Sequence, residues 1–260
     1  MKVVFCCPSY KRPKVKTLDY LSKIRIYVAP EEYEDYKKEN PGADIVKCAD
    51  GVQGSVCRVR NYILDEEFKK GAEAVCIVDD DMSGIYYMKG DKELKTISQT
   101  LLTEQEVYQI AEKYSQVCKD LGFYYWGMNC NRDSLSYRQY SPFSFKRFIG
   151  GPFQGFINDG GIRFDESLPL KEDYDMTLQQ LNKYRGVLRC NFLSYDVLQA
   201  KQEGGCAMYR NSEREAEQFK LLQKKWGTKI VQMDKHSGRT GIKHRQFDFN
   251  PIIRPPIKGI

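Results

Sequence analysis

The chain of 260 residues, 41% apolar and 29% charged with a net charge of +6, has the composition of an ordinary soluble protein with enough apolar mass for one large domain. No apolar run approaches the roughly 18 residues that a membrane span needs, and the N-terminus opens straight into a strand pattern without a signal-peptide profile. The expectation is a cytoplasmic protein with no membrane partner.

The run Val3–Cys7, ending in Pro8-Ser9-Tyr10, reads as a buried parallel strand entering a loop. Ile24–Val28 is a second strand, stopped at Pro30 and followed by a short helix carrying Tyr33 and Tyr36; residues 44–48 form a third, closed by Asp50-Gly51. From Ser55, apolar residues Val56, Val59, Ile63, Leu64 and Phe68 recur at helical spacing, with Gly71 at the C-cap position. Ala74–Val78 is a strand cut off by Asp79-Asp80-Asp81. Thr103 and Glu106 form a capping box for a helix that Gly122 ends. A further helix runs from about Glu172 to Tyr184, and another starts from a Ser212/Glu215 capping box and closes at Gly227. Strands alternating with helices imply an α/β fold with a mostly parallel sheet flanked by helices. No linker divides it, so residues 1–260 are expected to form a single domain.

Charge and cysteines refine the class. Residues 201–260 carry thirteen Lys/Arg against six Asp/Glu, so the first 200 sum to about −1. A basic end suits the phosphates of a nucleotide or nucleic acid, or is simply a solvated surface. The nine cysteines are scattered with no C-x-x-C pair, and only His236 and His244 offer imidazole. Nothing here suggests a zinc cluster, and the cysteines read as small core residues of a reduced compartment.

Three segments carry chemistry. Asp79-Asp80-Asp81 ends an apolar strand, where ligands bind in open α/β sheets. Three adjacent carboxylates need a counter-charge, and Mg²⁺ or Mn²⁺ shared with a diphosphate supplies one. One helix earlier, Arg58 and Arg60 suit a diphosphate and Asn61 a base or ribose edge. In Phe164-Asp165-Glu166…Glu172-Asp173 the acids either favour a helix dipole or include a general base.

Taken in order, Pro8-Ser9-Tyr10-Lys11-Arg12, Gly54…Arg60-Asn61, Val78-Asp79-Asp80-Asp81 and Phe164-Asp165-Glu166…Glu172-Asp173 resemble the inverting GT-A, family-2-like glycosyltransferases over about residues 1–185. The resemblance implies a GT-A-like fold, in which residues 1–122 bind the nucleotide-sugar and 123–260 the acceptor. It makes Asp79 and Asp81 the metal-binding D-x-D pair, Asp80 a further donor contact, Asp173 the base, and Pro8, Ser9, Tyr10 and Arg12 the nucleotide lining. Late in the chain it suggests His236 as a third metal ligand, and Arg239 and Lys243 as residues that close over the diphosphate of a UDP-sugar. The triple Asp, the R-x-x-N-type helix and Ser237-Gly238-Arg239 look like phage-encoded glycosyltransferases associated with base-oxidising enzymes, which implies a hydroxymethylpyrimidine in DNA as acceptor. Gln223-Lys224-Lys225-Trp226 is an echo of a Q-x-x-R-W motif.

Between Phe123 and Phe156 stand eleven aromatics with Arg132, Arg138, Lys146 and Arg147 against Asp133. Such a mixture fits an extruded base or single strand, a sugar-stacking platform, or a packed aromatic wall. A cell-envelope glycan or lipid-linked sugar is the alternative acceptor, and an inactive nucleic-acid-binding protein the alternative class.

Overall fold

The computed structural model describes residues 1–90, 96–130, 132, 137, 139–198, 211–233 and 250–255. Strands β1 (Val3–Pro8), β2 (Arg25–Val28), β3 (Asp44–Lys47) and β4 (Ala74–Val78) pair in parallel in the order β3-β2-β1-β4. Helix α1 (Tyr33–Glu39) joins β2 to β3, and α2 (Val56–Lys69) joins β3 to β4. Each crossover returns the chain to the same sheet edge, so every loop after these strands opens on one side.

The sheet continues through β5 (Met82–Lys89), β6 (Ser98–Leu101), β7 (Tyr125–Asn129), β8 (Phe143–Ser144), β9 (Phe153–Ile157) and β10 (Leu188–Val197), with helix α3 (Glu104–Asp120) before β7 and α4 (Glu172–Tyr184) before β10. Its full order is β3-β2-β1-β4-β9-β7-β10-β5-β6, with β8 on β10. Only β5, β8 and β9 run against the other seven strands. Helix α5 (Ser212–Trp226) and the hairpin of β11 (Val231–Met233) and β12 (Pro251–Ile253) pack beside α4.

Alternation places the core on both faces. Phe5 and Cys7 join Val107, Ala111 and Tyr114 of α3, whereas Cys6 joins Ile63 and Leu64 of α2 and Met176 of α4. The sheet is covered twice, which is why its central strands read as unbroken apolar runs. Seven of the eight described cysteines are buried and none is in a disulfide. Among the described residues, no helix is long and apolar enough to cross a membrane.

The Thr103/Glu106 box forms as expected: Glu106 N–H donates to Thr103 Oγ1, and Thr103 N–H to Glu106 Oε2. The Ser212/Glu215 box does not. Asn211 caps α5, its Oδ1 accepting from Arg214 N–H at 2.9 Å, while the Glu215 carboxylate accepts from Lys171.

For the aromatic segment the structure selects the packed wall. Tyr125, Trp126, Tyr137, Phe153 and Phe156 are core residues, Phe123, Tyr124, Phe143 and Phe145 pack against the core, and Phe148 is half-buried. Tyr140 alone of the eleven is exposed, at 88%. Of the cations, Arg132 is paired with Asp196 at 2.8 Å, while Arg138 and Asp133 lie outside the described residues. The rings fill a two-sided sheet and form no open stacking platform.

Candidate functional site

The acidic turn is held from behind. Strand β4 ends where Asp79 N–H donates to the Pro152 carbonyl. Thr17 then fixes the turn: its Oγ1 donates to the Asp79 carbonyl at 2.5 Å, and its N–H to the Asp80 carbonyl at 3.2 Å. The three carboxylates have different surroundings. Asp80 is buried and accepts from Ser9 Oγ at 2.5 Å and Arg12 Nη1 at 2.7 Å. Burial pushes its pKa up, and Ser9 and Arg12 only partly offset this. Asp79 is 31% exposed and pairs with Arg60 at 3.0 Å. Among the described residues, the only ion pair of Asp81 is a 3.9 Å approach to Arg12. Burial, reinforced by Asp79 and Asp80, pushes it up to about 6.

Asp80, Ser9 and Arg12 bond to one another, with Tyr36 Oη 2.8 Å from Ser9 Oγ, and form a pin between the β1 and β4 loops. Pro8 is the last residue of β1. Tyr10 does line a cleft of about 250 Å³, together with Pro30, Glu31, Asp50, Gly51, Gln53 and Gly54. These are the loops after β1, β2 and β3, where a parallel sheet binds ligands. Glu31, Asp50 and Gln53 were missed in the sequence, although the same carboxyl-end rule pointed to their loops.

The α2 residues are turned inward. Arg60 is 3% exposed and bridges Asp79, Glu172 at 3.1 Å and the Gly151 carbonyl at 3.3 Å. Arg58 donates to the Gln53 carbonyl at 2.8 Å, bracing the cleft loop. Asn61, expected at a base or ribose edge, instead clamps Phe164, donating to its carbonyl at 2.9 Å and accepting from its N–H at 2.7 Å. These two bonds tie α2 to the segment that precedes α4. His236, Arg239 and Lys243 lie outside the described residues.

Across Arg60 stands the start of α4. Asp173 Oδ2 accepts from Gly151 N–H at 3.2 Å and Oδ1 from Tyr174 N–H at 2.8 Å. Burial holds Asp173 above the usual carboxylate range against these bonds and the nearby Arg60 and Lys171. Burial, and then Asp173, raises Glu172 to about 7, with Arg60 opposing. A carboxylate whose pKa is raised toward neutrality is suited to accepting a proton at neutral pH.

Helix α5 seats this turn. Lys171, 1% exposed, pairs with Glu215. Asp175, fully buried, accepts from Trp226 Nε1 at 2.7 Å and Lys225 Nζ at 2.9 Å. Lys225 and Trp226 of the echo segment thus anchor Asp175, while Glu215, earlier in α5, holds Lys171 on the other side of Asp173.

No protein-family profile and no curated protein matches the chain. Solved structures do. Glucosyl-3-phosphoglycerate synthase from Mycobacterium tuberculosis with Mn²⁺, UDP-glucose and phosphoglyceric acid has a TM-score of 0.51 at 8% identity, covering 98% of this chain and 86% of that one. The same enzyme with Mn²⁺, UDP and glucosyl-3-phosphoglycerate has a TM-score of 0.51 at 9% identity, covering 89% and 84%. TarS 1–349 from S. aureus, in complex with UDP, has a TM-score of 0.44 at 13% identity, covering 75% of this chain but only 59% of that one. The fold is GT-A-like, that of nucleotide-sugar transferases.

Proposed function

We propose that the chain is a metal-dependent, inverting glycosyltransferase that uses a nucleotide-sugar, a UDP-sugar in the first instance. The observation that carries this reading is the pairing of two carboxylate centres across one buried arginine. Asp79 and Asp81 stand at the end of β4 and Asp173 at the start of α4, with Arg60 beside both turns.

The residues fit a divalent ion. Among the described residues, no group of three His, Cys, Asp or Glu is arranged to hold a metal. Mg²⁺ and Mn²⁺, however, are commonly held by one or two carboxylates and completed by substrate phosphates. Asp81 is raised to about 6 by burial and its acidic neighbours, a state that a cation relieves. Asp79 and Asp81 would hold the ion, with His236 proposed as a further ligand. Bound there, the ion neutralises charge on the departing diphosphate.

The remaining chemistry belongs to the chain. Tyr10, Asp50 and Gln53 line a cleft of a size to receive the base and ribose. Asp173 takes the proton from the acceptor hydroxyl as its oxygen bonds to the anomeric carbon. The bond from that carbon to the diphosphate breaks, and the nucleoside diphosphate leaves with the electron pair. Arg239 and Lys243 are proposed to close over the diphosphate. Residues 1–122 would serve the donor and 123–260 the acceptor.

For the acceptor we propose a hydroxymethylpyrimidine in DNA, as in the phage-encoded enzymes; its support is the basic balance of residues 201–260. Burial of the aromatic segment favours a second reading, a glycan or lipid-linked acceptor. The test incubates the protein with Mn²⁺, UDP-sugars and either hydroxymethylated DNA, unmodified DNA or saccharides, followed by mass spectrometry of the products. Sugar on hydroxymethylated DNA alone supports the first reading, and sugar on a saccharide alone the second. No donor turnover with any acceptor or with water overturns the transferase reading.

A further inference from the structure

Five described arginines are matched to carboxylates: Arg12, Arg25, Arg60, Arg132 and Arg163. Arg189 and Arg147 are among the described arginines with no carboxylate pair. Arg189, half-buried on β10, donates through Nε to Asn191 Oδ1 at 2.9 Å and through Nη1 to the Phe148 carbonyl at 3.4 Å. Both acceptors are neutral. Arg147 is exposed, and among the described residues neither arginine has an ion pair. Burial lowers the Arg189 pKa; Cys130 and, more weakly, Tyr195 oppose this, while the nearby Arg147 charge adds to it. A half-buried guanidinium beside a like charge, with no carboxylate paired to it among the described residues, is an unfavourable arrangement that an anion relieves.

Its location gives the arrangement a use. The Phe148 ring, whose carbonyl Arg189 holds, stacks on Tyr174 with centroids 4.1 Å apart and planes at 17°. Tyr174 follows Asp173 in α4, and three residues beyond Phe148 the Gly151 N–H donates to the Asp173 carboxylate. Three residues span at most about 10 Å. One short loop therefore joins the arginine pair to the candidate base. Neither arginine lines the cleft of Tyr10 and Asp50.

We propose that Arg189 and Arg147 form an acceptor subsite for a phosphate group, carried close to the hydroxyl that Asp173 deprotonates. Planar guanidinium groups match phosphate oxygens in pairs. The proposal rests on the transferase reading and adds to it the chemical class of the acceptor. A phosphomonoester on a small acceptor and a phosphodiester in a nucleic acid share this chemistry.

The test uses the full chain with Mn²⁺ and saturating UDP, so that the donor site is filled. Inorganic phosphate, glycerol 3-phosphate and a dinucleotide phosphodiester are titrated by calorimetry into the wild type, Arg147→Gln, Arg189→Gln and the double variant, each checked for folding by circular dichroism. At least a tenfold weakening of phosphate binding in Arg147→Gln, and a larger one in the double variant, supports the subsite. Preference for the monoester assigns a small acceptor, and preference for the diester a nucleic acid. Equal affinity in the wild type and Arg147→Gln overturns the subsite, even if Arg189→Gln fails to fold. Binding of UDP with Mn²⁺ by the wild type is read separately: its absence refutes the transferase reading, and its presence alongside unchanged phosphate binding refutes the subsite alone.

Discussion

The two sides of the candidate site are built by different means. On one side, β1 to β4 are parallel neighbours and their carboxyl-end loops converge by topology: Tyr10, Glu31 and Asp50 come from three successive loops and line one cleft. On the other side, Asp173 is placed by contacts that span the chain. Gly151 reaches its carboxylate, Arg60 holds its neighbour Glu172, and Glu215, Lys225 and Trp226 hold Lys171 and Asp175. A parallel sheet supplies a ligand edge without long-range specification, whereas a seated base requires several distant pairings at once.

If that contrast holds, substitutions within the acidic turn should separate sharply. Asp81→Asn is expected to lower turnover at least 100-fold and abolish Mn²⁺-dependent UDP binding while leaving the fold intact; tight UDP binding in this variant would remove Asp81 from the donor site. Asp80→Asn should act on stability instead, because it strips a charged partner from Arg12. The expected loss is about 1–3 kcal/mol in urea unfolding.

Asp173→Asn tests the other side. General-base removal costs roughly 10²-fold or more in kcat, with donor KM almost unchanged. A near-normal rate would mean that the acid merely favours the helix start.

The pH profile follows from the same turn. The base must be deprotonated, and burial raises both Asp173 and Glu172, the latter to about 7. The acid limb of kcat/KM should therefore lie above the ordinary carboxylate range of about 4. Stability runs the opposite way. A raised acid favours the fold below its unfolded pKa, near 4.5, and that contribution is lost as pH rises through about 7. Glu172→Gln should flatten this loss in urea midpoints measured from pH 4 to 8; an unchanged slope would place the cause elsewhere.

The smallest effect concerns the anchor. Trp226→Phe keeps the ring but removes the bond to Asp175, for an expected loss of about 1–3 kcal/mol and only a few-fold fall in kcat. A hundredfold fall would show that α5 does more than seat the turn.

Much of this was legible in the sequence where one segment determines the outcome. Apolar runs located β1 to β4, helical spacing and end signals located α2 to α5, and the abrupt Asp79-Asp80-Asp81 marked the end of β4. Which aspartate faces outward was not legible, because Ser9 and Arg12 lie about 70 positions away and only the folded loops bring them to Asp80. The aromatic run left its alternatives open for a related reason. Adjacent rings such as Tyr125 and Trp126 suggest an exposed face only if one side of the sheet is open, yet they enter opposite covered faces. The α5 cap slipped by one residue because Asn211 and Ser212 are both good cap formers.

The anchoring of α4 by α5 also has a consequence for how the molecule is made. A nascent chain that has emerged as far as Val197 already carries every strand of the main sheet, the acidic turn and Asp173. It still lacks Glu215, Lys225 and Trp226, which hold the residues flanking that acid. Synthesis proceeds from the N-terminus, so the contacts that seat the start of α4 become available only after the strands of the main sheet have emerged.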